Sequence, residues 1–303
     1  MKKILGYVRS YFIHTDKRVW LLSAMFVGLG IFLNYHYHLN GWINEKENAI
    51  QYVYWYFVFL TAFSIPYFLY RIFGTHHPFR QKKFIFLLLL APALFSWKMV
   101  FDPTIHFPFS AIENRYWNQV VYWPFKLIVI TTVLFLIWRF TEKKQDSFYG
   151  LTFKNFSGRP YLLMLLLMIP LVAAASTQHD FLAMYPKLKN ISFLKVQHHG
   201  WYKLLYELSY GSDFFSIEIF FRGFLVLAFV NWFGADAILP MAVFYCTIHF
   251  GKPVGECISS FFGGLILGVV VYHTRTILGG LIVHLGIAWM MELGGYLGNM
   301  LRG

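Results

Sequence analysis

Four ionisable side chains stand in the apolar C-terminal third of the chain. Glu218 and Arg222 lie in "SIEIFFRGF", His249 in "VFYCTIHFGKP" and His284 in "TRTILGGLIVHLGIAWMMEL". A carboxylate and an imidazole can hold and deprotonate a water, as a base or as metal ligands. A second imidazole can donate to a developing oxyanion. Each member also has a plainer reading. Residues four apart share a helix face, so Glu218 and Arg222 can form an ion pair that serves structure alone. A lone His on an apolar face is more often a hydrogen-bonded core residue than a ligand. Two His and a Glu–Arg pair on neighbouring apolar segments carry more weight than any one of them.

Several familiar arrangements are absent. There is no HExxH zinc helix. There is no GxSxG elbow, and "GGLILG" carries no Ser that would make a membrane Ser/His pair. A GxGD-type aspartyl pair is missing too, because after Trp201 Asp occurs only at Asp213 and Asp236. Helical spacing puts His284, Ala288 and Glu292 on one stripe.

The elements that must position these residues are membrane helices. Of the 303 residues, 58% are hydrophobic, 21% aromatic and only 13% charged, and the mean hydropathy is +0.52. A soluble domain carries roughly a quarter charged residues. Apolar runs near 19–35, 50–71, 84–100, 119–138, 160–176, 212–232, 236–250, 257–273 and 276–298 are candidates to cross about 30 Å of hydrocarbon. This predicts an all-α polytopic transmembrane bundle of about eight spans, or nine if every run crosses. Membrane-depth acids and bases are costly and face a bundle interior or water. They concentrate late in the chain, which divides it into N-terminal transmembrane helices over 1–147 and a chemistry-bearing core over 148–303.

The net charge of +12 fits basic loops on anionic lipid better than nucleic-acid binding, since no soluble basic module is visible. Lys2, Lys3, Arg9, Lys17 and Arg18, then Arg71, Arg80, Lys82 and Lys83, then Arg139, Lys143, Lys144, Lys154 and Arg159 mark alternate loops. The positive-inside rule puts these, and the N-terminus, in the cytoplasm. The basic start reads as a retained interfacial segment, not a removed signal peptide. Residues 177–211 then lie outside, with "QHHGWYKLLYEL" as an interfacial helix. Cys246 and Cys257 alone imply no disulfide framework and no cysteine metal site. Abundant Phe and Lys point to a low-GC bacterium, hence its cytoplasmic (inner) membrane.

In order, "EIFFRGFL", "FYCTIHFG" and "GGLILGVVVYHTRTILGGLIVHLG" resemble the CAAX-protease and bacteriocin-processing family of intramembrane proteases, marked by EExxxR, FxxxH and HxxxN or HxxxD on successive helices. The resemblance covers about residues 148–298. It implies that Glu218 matches the second Glu of the double-Glu motif and Arg222 its Arg. Tyr245 stands for the Phe of FxxxH, His249 for its His, and His284 for the third-motif His. In the family the first Glu and first His activate the attacking water, and the last His and Asn stabilise the oxyanion.

The departures fall on the chemistry. Ile217 stands where the first Glu belongs and Ala288 where the Asn belongs. Losing an oxyanion donor costs about 10²–10³ in rate, and losing the general base about 10²–10⁴ more. Asp213, one turn before Ile217, and Glu292, one turn after Ala288, are the candidate substitutes. Two His and one carboxylate resemble a zinc donor set, but without the first carboxylate it is short, so no cofactor is expected. The reading is a pseudo-protease that binds a membrane protein partner or a lipidated peptide, with no nucleic-acid partner. The alternative is an active endopeptidase with a rearranged site.

Overall fold

The computed structural model describes residues 2–74, 78–102, 104–141, 147–154, 156–194 and 199–302. Lys143 and Lys144 of the third basic loop, and Gln197 and His198 at the start of the expected interfacial helix, lie outside them. All regular structure among the described residues is helical. The α-helices are α1 (Lys2–His14), α2 (Lys17–His36), α3 (Leu39–Asn44), α4 (Asn48–Phe73), α5 (Lys82–Val100), α6 (Ala111–Thr141), α7 (Arg159–Ala175), α8 (His179–Met184), α9 (His199–Glu218), α10 (Val230–Phe233), α11 (Ile238–Thr247), α12 (Val254–Thr274) and α13 (Leu278–Arg302). A π-helical stretch, Ile219–Ala228, continues α9.

Among the described residues, six helices are long and apolar enough to cross a membrane: α2, α4, α5, α6, α12 and α13. A seventh is added if α7 and the segment after it, bent by 98°, count as one broken span. This replaces the expected eight, and the difference has a local cause. The run over 212–232 is the end of α9 plus the π stretch, and α9 itself begins in polar sequence. The run over 236–250 is broken by a 3₁₀ turn, leaving α11 with ten residues. At 1.5 Å per residue that is about half the hydrocarbon thickness. For α11, whose ten residues are all buried, apolar composition therefore marks burial in protein rather than a crossing.

The chain divides into two compact units that alternate along the sequence. One comprises Met1–Phe101, Lys144–Asn155 and Phe220–Ile277; the other comprises Asp102–Lys143, Phe156–Ile219 and Leu278–Gly303. The first unit is built on aromatic packing. Phe244 of α11 meets Phe59 and Phe63 of α4 and Phe95 of α5 at ring distances of 5.0, 5.7 and 5.8 Å. Phe220 and Phe221 of the π stretch pack on the same Phe95. Aromatic rings thus dominate this unit's core, in which every residue of the π stretch is buried. The short stretch 147–154 joins this unit through Gly150, whose carbonyl accepts from the Ile277 N–H at 3.0 Å. Gly150 has φ +77°, and a Cβ there would press on Leu227 and the Arg275 carbonyl, so only Gly fits.

In the second unit α6 packs along α9, and α7 along α13. Trp123 of α6 lies against Tyr206 and Tyr210 of α9 at 5.5 and 5.3 Å. Tyr161 of α7 fits over Gly279, where any Cβ would collide with its ring.

Candidate functional site

The second unit holds Glu218 and His284. Glu218 ends α9 and is fully buried. Its Oε1 lies 3.0 Å from Nδ1 of His284, in the second turn of α13. An ionised carboxylate only accepts, so Nδ1 donates and the ring's lone pair sits on Nε2. Phe214 packs edge-on against the same imidazole at 4.8 Å. The approach of Glu218 to α13 depends on Gly280, because a Cβ there would collide with Oε2. Gly280 and His284 are four apart and so share a face. The Gly-rich run before His284 is therefore a seat for the acid, a role its spacing alone did not disclose.

The first unit holds Arg222 and His249, with Tyr245 touching both. The Arg222 guanidinium is 1% exposed and its Cζ lies 4.0 Å from the centre of the Tyr245 ring. Such a contact is worth about 2 kcal/mol or more when desolvated. His249 Nδ1 lies 2.9 Å from the Tyr245 carbonyl oxygen. A carbonyl only accepts, so Nδ1 again carries the proton and Nε2 the lone pair. The two rings also meet edge-on at 4.7 Å. Tyr245 thus holds the base by its ring face and the His by its backbone, two contacts that the Phe of FxxxH can also make.

The helix does not carry α-helical spacing from Glu218 to Arg222. The π stretch begins at Ile219, and its rings close one residue later than in an α-helix. A four-residue interval there still nearly completes a turn, and what shifts is the backbone register. π-Helical bulges of this kind recur at functional sites.

The positions of the missing groups are also filled. Ala288 is 4% exposed and clusters with Tyr210, Phe214, Trp123, Leu281 and Leu285, an apolar surround without the amide the family places there. Ile217 is partly buried. Asp213 Oδ1 accepts from the Ser216 hydroxyl at 3.1 Å. Glu292 is occupied elsewhere: its Oε1 accepts from the Lys187 N–H at 2.8 Å and its Oε2 from the Leu188 N–H at 3.3 Å. It caps the turn Lys187–Ile191, which is a structural use of the carboxylate. Within either unit, no group of three His, Cys, Asp or Glu side chains is gathered to hold a metal among the described residues.

Glu207, in the polar first half of α9, lies beside Glu292. Burial, and then the Glu292 charge, push its carboxyl up from 4.5 to about 7. An acid with a raised folded-state pKa contributes stability that is full below its unfolded value and is lost as pH rises through the folded one. Thermal stability should therefore fall between about pH 5 and pH 7 and flatten above that. Glu207→Gln, which stays neutral throughout, should remove this part of the slope in melts of the detergent-solubilised protein. An unchanged slope would mean that Glu207 titrates normally.

Residues 212–290 match the model of a family described as Rce1-like, type II CAAX prenyl endopeptidase Rce1-like. No curated protein and no solved structure matches the chain. The matched segment carries Glu218, Arg222, Tyr245, His249 and His284 in the order of the sequence motifs, and it lies in a chain with six or seven helices fit to cross a membrane. Residues 212–290 of this helical membrane chain are therefore similar to the CAAX protease family.

Proposed function

We propose that this chain is a non-hydrolytic member of the CAAX protease family that binds a membrane protein partner or a lipidated peptide through the positions its relatives use for catalysis. Glu218, Arg222, His249 and His284 are the proposed binding set. The observation that carries the reading is the surround of Ala288: the oxyanion-donor position is sealed in an apolar cluster. Support also comes from Ile217 at the water-activating position, and from Glu292, whose two oxygens are used by backbone N–H groups. The same reading places the protein in a bacterial cytoplasmic membrane with its N-terminus inside, from the loop charges.

One observation favours the second reading, an active endopeptidase. Glu218 and His284 form a carboxylate–imidazole pair with the lone pair on Nε2, which is the arrangement of a general base. The test is direct. Purified protein in lipid nanodiscs is mixed with a prenylated CAAX-type peptide and with unmodified membrane peptides, and both binding and cleavage are followed. Binding without cleavage, lost in His249→Ala and His284→Ala, is the expected result. Cleavage by the wild type that disappears in His284→Ala would transfer the assignment to the enzyme.

A further inference from the structure

Cys246 and Cys257 are buried free thiols on α11 and α12 of the first unit. Their sulfurs lie 3.9 Å apart. Each thiol also faces the other's backbone: Cys246 Sγ lies 3.4 Å from the Cys257 carbonyl oxygen, and Cys257 Sγ lies 3.8 Å from that of Cys246. The two residues thus oppose each other directly, and side-chain rotation must close less than 2 Å to reach a disulfide length of about 2.0 Å. The residues between them form the turn that carries His249.

A second feature gives access. An apolar groove of about 320 Å³ runs between α2, α4 and α11 of the same unit. Phe26, Val27, Gly30, Val243 and Phe250 line it, and Cys246 lies on its wall. Its α2 and α4 walls are helices fit to cross a membrane. The groove therefore offers a route to the thiol for a molecule dissolved in hydrocarbon, while its lining offers nothing to a charged reagent.

We propose that Cys246 and Cys257 are a modification site: a dithiol oxidised to an intramolecular disulfide by a lipid-soluble oxidant of the quinone class that enters along this groove. Two S–H bonds break and one S–S bond forms. The two electrons and two protons pass to the quinone, which leaves as the hydroquinone. The clip ties α11 to α12 across the His249 turn, so the redox state of the bilayer's quinones sets the freedom of that turn. The inference does not depend on whether the chain hydrolyses peptides.

The test uses full-length protein in nanodiscs and a fully substituted benzoquinone, which cannot add thiols to its ring. After exposure, free thiols are alkylated in denaturant and the intact mass is read. The expected result is a protein lighter by two hydrogens, with no alkylation, restored to two alkylated thiols by dithiothreitol. Anionic tetrathionate should leave both thiols alkylatable, and Gly30→Trp, which fills the groove, should slow the quinone reaction several-fold. Cys246→Ser and Cys257→Ser should each leave one alkylatable thiol after quinone. Two alkylatable thiols in quinone-treated wild type overturn the proposal. So does a disulfide joining two chains, or oxidation by tetrathionate as fast as by quinone. If Gly30→Trp does not accumulate, Val27→Phe serves as the groove-filling variant, and an unslowed reaction in it rejects the route.

Discussion

Replacing His284 by Leu should lower the unfolding free energy by about 3 kcal/mol, and adding Glu218→Leu should return part of that loss. The reason lies in the burial of the pair. Glu218 is fully enclosed, and its Oε1 receives the His284 Nδ1–H at 3.0 Å. Removing the imidazole withdraws one compensating partner from a buried carboxylate, and such losses cost about 3–5 kcal/mol when the charge is left uncompensated. Removing both members exchanges the pair for apolar contacts, which is often close to neutral. The double variant should therefore be more stable than the sum of the single losses by well over 0.5 kcal/mol, the usual scatter for independent sites. Reversible unfolding of the four proteins in one detergent measures this coupling. Additive losses would mean that the Glu218–His284 bond contributes nothing to the fold.

Gly280→Ala should destabilise the wild type by about 1–3 kcal/mol and have little effect in a Glu218→Ala background. A methyl at position 280 occupies the space of Glu218 Oε2. Both groups are buried, so neither can move into solvent. The acid must leave its place, and the bond to His284 goes with it. Shortening residue 218 to Ala vacates that space in advance. The neighbouring Gly279 provides the contrast, since its own seat is filled by the Tyr161 ring. Tyr161→Leu should therefore not relieve Gly280→Ala. Relief by Tyr161→Leu, or equal effects of Gly280→Ala in both backgrounds, would show that the small residue at 280 serves general packing and not the acid.

The candidate residues were legible because their cost is legible. Glu218, Arg222, His249 and His284 stand out in apolar sequence, where an ionisable group is expensive. Their partners were not. Spacing puts Glu218 and Arg222 on one helix face, and the structure adds partners from distant sequence: His284, sixty-six residues away, for Glu218, and the Tyr245 ring for Arg222. A π stretch begins at Ile219, directly after the acid, and no residue type in "IFFRGFLVLA" announces it. Glu292 misled in a similar way. Its place on the His284 stripe suggested a spare base, but the distant turn at Lys187 claims its oxygens.

Composition alone determined that the chain is a helical membrane protein, because helices are the spanning structure whose backbone groups are satisfied within each segment. Motif order alone pointed to the family whose model matches residues 212–290, and set Ile217 and Ala288 against its carboxylate and amide. Tertiary structure decided how many apolar runs are long enough to span, since lipid and a protein core favour the same side chains. It decided that Ala288 is sealed among aromatic and Leu side chains from α6, α9 and α13. It also decided that Gly280 makes room for Glu218 and that two cysteines eleven residues apart meet sulfur to sulfur. These are contacts between segments whose separation along the chain says nothing about their distance in space.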